Sequence, residues 1–168
     1  MKETLAKGSV LGKENFWIFL VFGFLLSFLL SILPYDNTFW YKSATILYGL
    51  STLLYVSVFL TKERLLSYVS SFTLFLGLLL NLTGMIRRSI QTYEMGAFHP
   101  PWSNLFEALT FWSFVVGVIY LIIERKYGIK FLGMLVTPIV FGLSLFAVYK
   151  ANAEIVPLMP ALRSYWLY

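Results

Sequence analysis

The residues of this chain that could take part in chemistry lie in two short segments, residues 87–107 and 150–168. The first segment holds Arg87, Arg88, Glu107 and the chain's single histidine, His99. A loop histidine can ligate a metal ion, or it can simply be an interfacial side chain. The chain has no cysteine, so thiol nucleophiles, thiolate metal sites and disulfides are excluded. With one histidine, a multi-histidine metal site cannot form within this chain.

Five long uncharged runs must position these two segments. The chain is 59% hydrophobic and 12% charged, whereas soluble domains carry roughly 25% charged residues. A membrane span needs about 20 mainly apolar residues, and such spans are predicted near residues 16–34, 43–61, 65–86, 105–124 and 131–149. The sequence therefore predicts an all-α fold, a polytopic integral membrane helix bundle of about five transmembrane helices in a single domain, 1–168. Residues 87–104 and 150–168 then form two loops on one side, called here the first and second external segments.

The distribution of lysine and arginine predicts the orientation, because cytoplasmic loops are enriched in both. With the N-terminus inside, eight of these residues lie on the inner face and five on the outer face. The excess favours a multi-pass protein with the N-terminus inside and both external segments outside. The basic residues flank apolar runs, as expected beside membrane spans, so the net charge of +5 does not indicate nucleic-acid binding.

The end of the first external segment carries a signal for the start of a helix. Pro100 and Pro101 forbid a helix there, and Asn104 is a natural N-cap. Glu107 falls three residues later, where its side chain can return to the cap in a capping box. Trp102 and Trp166 suit the aromatic belt at a membrane interface.

Two motifs in these segments resemble a known family. The first is Pro101-Trp102-Ser103-Asn104-Leu105-Phe106-Glu107, and the second is Pro160-Ala161-Leu162-Arg163-Ser164-Tyr165-Trp166-Leu167. Both resemble external motifs of the CcsA/ResC-type cytochrome c assembly proteins, in the same order and two spans apart. The resemblance covers roughly residues 83–168, and the earlier spans match only as apolar helices.

The resemblance implies that the chain takes part in presenting haem to apocytochrome c on the outer face of a bacterial-type inner membrane. The residues that it implies around haem are Trp102, Trp166, Arg87, Arg88, Arg163 and His99. It assigns no catalytic residue and no metal ligand. The family forms haem thioether bonds as cytochrome c synthase, which leaves open whether this chain is itself an enzyme.

The resemblance also implies partners. In the family, a histidine and a tryptophan-rich motif follow the second external motif, and this chain ends at Tyr168, before both. We therefore expect the N-terminal half of such a protein, which does not hold haem stably alone. Its expected partners are the C-terminal half or a second, CcsB/ResB-like membrane subunit, and apocytochrome c. The alternative is a non-catalytic membrane scaffold or small transporter subunit that binds a partner through its outer loops.

Overall fold

The fold is that of a computed structural model, which describes residues 16–95 and 104–155, with side chains from residue 21 onward. Five α-helices follow one another in this part of the chain. They are α1 (Phe16–Ser31), α2 (Asn37–Thr61), α3 (Arg64–Glu94), α4 (Leu105–Tyr127) and α5 (Phe131–Lys150).

Local signals in the sequence account for where several helices begin and end. The Asp36 carboxylate accepts from the backbone N–H of Thr38 at 3.3 Å and caps the start of α2. At the other end of α2, Lys62 adopts a left-handed conformation and its N–H returns to the Val58 carbonyl. Gly128 closes α4 in the same way, with φ of 69° and an N–H bond to the Glu124 carbonyl.

Helix α3 continues well past the predicted end of its span. The apolar run stops at Ile86, but the helix runs to Glu94, so residues 87–94 of the first external segment are helical. Arg87 and Arg88 interrupt the run of apolar residues, but they do not interrupt the helix, because arginine is a good helix former. The last two turns of α3 consequently carry polar side chains beyond the apolar part of the bundle.

The helices form a closed four-membered arrangement with one helix added outside. Helix α2 packs against α3 and α5, and α4 also packs against α3 and α5, so each of the four has two neighbours. Helix α1 packs on α3. Ser27 there donates to the Leu79 carbonyl at 3.1 Å, and a Cβ at Gly23 would lie 2.8 Å from the Leu79 side chain. Small residues thus allow α1 and α3 to approach each other closely.

The interior of the bundle combines aromatic and polar side chains. The main core cluster contains the following buried residues: Ala44, Tyr48, Tyr55, Leu74, Leu78, Tyr120 and Val140. Midway along the bundle, the buried Asn81 amide donates to the Tyr48 hydroxyl, the Thr110 carbonyl and the Ser113 hydroxyl. These bonds join α2, α3 and α4 across the apolar region.

Four of the described helices, α2 to α5, are long and apolar enough to cross a membrane. Large apolar side chains cover their outer surfaces, as in Leu53, Phe72 and Ile139. A water-facing bundle would instead carry polar residues there. The predicted fold class is confirmed: the chain is an all-α, polytopic helical membrane bundle.

Two glycines of α5 give a matched test of the packing. A Cβ at Gly133 would overlap the Tyr55 ring and the Tyr120 hydroxyl, whereas a Cβ at Gly142 would meet open space. We expect Gly133→Ala to destabilise the bundle by roughly 1–3 kcal/mol and Gly142→Ala to be neutral or slightly stabilising. Unfolding of both variants in mixed micelles measures the difference. Equal stability of the two would contradict the close packing at Gly133.

Candidate functional site

A buried ion pair joins α3 to the first turn of α4. Arg88 Nε donates to Glu107 Oε1 at 2.6 Å, and the two side chains are 1% and 0% exposed. The Phe106 ring lies beneath the guanidinium, with its centroid 5.1 Å from Arg88 Cζ. A charge this deeply buried requires a charged partner and hydrogen bonds to its remaining donors.

The other donors of Arg88 reach two further parts of the chain. Nη1 donates to the Ala153 carbonyl at 2.8 Å and to Asn37 Oδ1 at 3.4 Å, and Nη2 donates to the Glu154 carbonyl at 3.2 Å. Asn37 begins α2, and residues 153–154 belong to the second external segment. We call Arg88, Glu107, Asn37 and the carbonyls of Ala153 and Glu154 the Arg88 site.

Glu107 is held in place through its backbone as well as its side chain. Asn104 Oδ1 accepts from the Glu107 N–H at 2.8 Å, which is the N-cap expected from the sequence. The Glu107 carboxylate, which the sequence assigned to the return half of a capping box, lies against Arg88. The motif that ends at Glu107 therefore meets the bundle interior at the ion pair.

Polar side chains extend the Arg88 site towards the α1–α2 connection. Asp36 Oδ1 accepts from Gln91 Nε2 at 3.2 Å, and Asn37 donates to Gln91 Oε1. Partial burial raises the pKa of the Asp36 carboxyl, but hydrogen bonds from Thr38, Gln91 and the backbone outweigh burial, and the net pKa is lowered. Asp36 is therefore a carboxylate at neutral pH.

A cavity of about 420 Å³ opens beside this site. Its lining residues are Asp36, Asn37, Thr38, Gln91, Met95, Ala153, Glu154 and Ile155. Of these described residues two are acidic and none is basic, so this part of the lining disfavours anionic groups.

Arg87 differs from its neighbour Arg88. Its side chain is half-buried, and its buried Nε has no hydrogen-bond partner among the residues that the structure describes. A buried, unpartnered guanidinium N–H fits an anionic group such as a carboxylate.

Most of the other residues singled out in the two external segments and their motifs lie outside the described part of the chain. Those residues are His99, Pro101, Trp102, Ser103, Pro160, Ala161, Leu162, Arg163, Ser164 and Trp166. Within the described part, the structure brings together Arg88, Asn104 and Glu107 and extends the group to Asn37, Ala153 and Glu154. The ion pair was not predicted from the sequence. A signal for it was present, because Arg88 lies seven residues after Asn81 and therefore on the same helix face as Thr73, Gly77 and Asn81.

A second buried polar cluster lies at the opposite end of α4. Glu124 Oε1 accepts from Lys130 Nζ at 2.5 Å and Ser71 Oγ at 2.6 Å. Glu124 Oε2 accepts from the hydroxyls of Tyr55 and Tyr120. Glu107 and Glu124 are separated by about 26 Å along the helix at 1.5 Å per residue, close to the roughly 30 Å of a hydrocarbon core. This spacing fits a helix whose two ends lie near opposite faces of a membrane.

These features define a polytopic helical membrane protein with a polar site at one end that joins two external segments. Comparison with curated proteins shows similarity to several proteins described as cytochrome c biogenesis protein CcsA, including the three that follow. The relative from Trichodesmium erythraeum is 41% identical over 70 residues, which are 40% of this chain and 20% of the relative. The relative from Microcystis aeruginosa is 38% identical over 77 residues, 44% of this chain and 23% of the relative. The relative from Synechocystis sp. is 34% identical over 90 residues, 52% of this chain and 26% of the relative.

The resemblance expected from the two motifs is confirmed by these matches. The matched region spans only about a fifth to a quarter of the length of these curated relatives. No family model matches the chain, and no solved structure matches it.

Proposed function

We propose that this chain acts in cytochrome c biogenesis, in the step that brings haem to apocytochrome c. The observation that carries the proposal is the similarity to CcsA proteins, at 34–41% identity over 70–90 residues. The Arg88 site supports the proposal, because it joins Glu107, the last residue of the first motif, to residues 153–154, which precede the second motif in the chain.

Haem needs cations for its propionates and apolar walls for its ring. Arg87 suits the first requirement, because its Nε lacks a partner among the described residues. Arg88 has a different environment, since its charge is balanced by Glu107 and each of its three nitrogens already donates to another part of the chain. We therefore assign the propionate contact to Arg87, with Arg163 as its counterpart in the second external segment and Trp102 and Trp166 as walls. Haem, when bound, supplies the vinyl groups that take up cysteine thiols of the apocytochrome, and these residues would orient it.

The proposed setting is the inner membrane of a bacterial cell, with the N-terminus inside and the two external segments outside. The proposed partners are apocytochrome c and a second membrane subunit, such as a CcsB/ResB-like protein. The eight-to-five excess of inner lysine and arginine supports this orientation.

Deletion of the gene in its source organism tests the role directly. We expect covalently bound haem in c-type cytochromes to fall to a small fraction of the wild-type amount, and to return when the wild-type gene is restored. Haem staining of membrane proteins after denaturing electrophoresis measures it, and non-covalently bound b-type haem is the control that should not change. Unchanged c-type cytochromes would contradict the proposal and favour a scaffold or transporter role.

The orientation is tested in the same strain background. Reporter fusions at Gly96 and at Lys126 should report opposite sides of the membrane, with Gly96 outside. A cytoplasmic Gly96 would rule out haem presentation at the outer face.

A further inference from the structure

We propose that Arg88 is a positioning residue that fixes the second external segment against the first turn of α4. The haem role of the two segments rests on the proposed function, but the positioning itself does not. The inference follows from one guanidinium that bonds three separate parts of the chain.

The contacts of Arg88 place it between the end of the first motif and residues 153–154, which precede the second motif in the chain. Its Nε binds the carboxylate of Glu107, which is the last residue of the first motif. Its two Nη atoms bind the carbonyls of Ala153 and Glu154, a few residues before the second motif begins at Pro160. The separation between Glu107 and residues 153–154 is therefore set by one side chain.

Ala151 and Ala153 pack against the core cluster that contains Tyr41, Met85 and Phe106, but the described part of the segment after α5 makes few hydrogen bonds to other helices. Helix α5 ends at Lys150, and the Ala151 N–H bonds back to Phe146 within the same helix. Asn152 Oδ1 then accepts from the Glu154 N–H in a local turn. Among the residues that the structure describes, the hydrogen bonds from Ala153 and Glu154 to another helix come from Arg88.

The geometry requires arginine in particular. The planar guanidinium presents donors in a rigid fork, so one edge can bind Glu107 while the other reaches two carbonyls. A lysine ammonium at this position keeps the charge but has three donors on one nitrogen. Arg88→Lys should therefore preserve the ion pair with Glu107 and lose at least one of the two carbonyl contacts.

Spin labels measure the position of the second segment. Because the chain has no native cysteine, Leu105→Cys and Ile155→Cys can be labelled as a pair across the site and read by double electron–electron resonance. A reference pair, Leu53→Cys and Leu135→Cys, uses two exposed positions on α2 and α5 away from the site. We expect Arg88→Gln to broaden the distance distribution of the first pair at least twofold and to leave the reference pair unchanged. Arg87→Gln removes the neighbouring charge and should leave both distributions unchanged.

A first pair that stays as narrow in Arg88→Gln as in the native protein would overturn the proposal. If the distance distribution of the reference pair also broadens in Arg88→Gln, the substitution perturbs the whole bundle. The same two pairs are then measured in Arg88→Lys, which keeps the positive charge. In Arg88→Lys, a broadened distance distribution for the first pair and an unchanged one for the reference pair support positioning by the guanidinium. An unchanged distribution for the first pair overturns it.

A second measurement connects positioning to function. At matched protein level, Arg88→Lys should lower covalent haem in c-type cytochromes severalfold, because charge alone does not restore the segment. Full activity in Arg88→Lys with a broadened first pair would show that function does not need the positioning. This failure is distinct from failure of the proposed function, which the gene deletion tests on its own.

Discussion

Glu107→Leu is expected to destabilise the bundle by about 3–5 kcal/mol, because it leaves the Arg88 guanidinium buried without a counter-charge. Both side chains are 1% exposed or less, so water cannot replace the lost partner. Arg88→Met should cost a similar amount, since it strands the Glu107 carboxylate. Glu107→Gln keeps an oxygen for Arg88 Nε without neutralising its charge, and we expect an intermediate loss.

The double variant Arg88→Met/Glu107→Leu separates the ion pair from its surroundings. It removes both buried charges, so its loss should be clearly smaller than the sum of the single losses. It still leaves the Ala153 and Glu154 carbonyls without their donor, at roughly 1–3 kcal/mol for each carbonyl that stays buried. Unfolding by a denaturing detergent in mixed micelles gives the four free energies of the cycle. Additive single losses would contradict a coupled pair, and Arg87→Met is the control, expected within about 1 kcal/mol of the native protein.

Glu124→Leu is the second large expected effect, at about 3 kcal/mol or more. The change removes the acceptor of four donors at once, namely the hydroxyls of Tyr55, Tyr120 and Ser71 and the ammonium of Lys130. The Tyr120 hydroxyl is left without an acceptor among the described residues, at roughly 1–3 kcal/mol. Tyr55, Ser71 and Lys130 each lose one acceptor but keep another, which is Ser71 Oγ for Tyr55 and the Ser67 carbonyl for the other two. Lys130 contributes less than its charge suggests, because its side chain is 32% exposed and the ion pair is screened by water.

The order of three variants at this cluster tests the explanation. We expect Glu124→Leu to be the most destabilising, Glu124→Gln to be intermediate, and Lys130→Met to cost only about 1 kcal/mol. Glu63→Gln is the matched control, because Glu63 is exposed, lies in the α2–α3 connection and makes no side-chain cap bond. The explanation fails if Lys130→Met costs as much as Glu124→Leu, since the ion pair alone would then account for the cluster.

The sequence was sufficient for the helices and for one helix start. Long uncharged runs form helices in a membrane because each backbone group must bond within its own segment. The Asn104 cap was also predictable, because a side-chain oxygen three residues before a helical N–H depends only on local spacing. The motifs that resemble CcsA proteins are likewise a property of residue order alone.

The roles of the charged side chains depended on the tertiary structure. Arg87 and Arg88 are adjacent and have the same side chain, but successive helical residues point in different directions. Arg88 consequently lies inside the bundle, whereas Arg87 is half-buried. The end of α3 at Glu94 also could not be read from the apolar run, since hydrophobic composition marks the membrane boundary and not the end of backbone hydrogen bonding. Likewise, the partners of Glu107 and Glu124 could not be read from the sequence, because most of them come from α2, α3 and the α4–α5 connection and not from α4 itself. Local sequence determines which backbone hydrogen bonds can form, whereas the packing of distant segments determines which side chains pair with each buried charge.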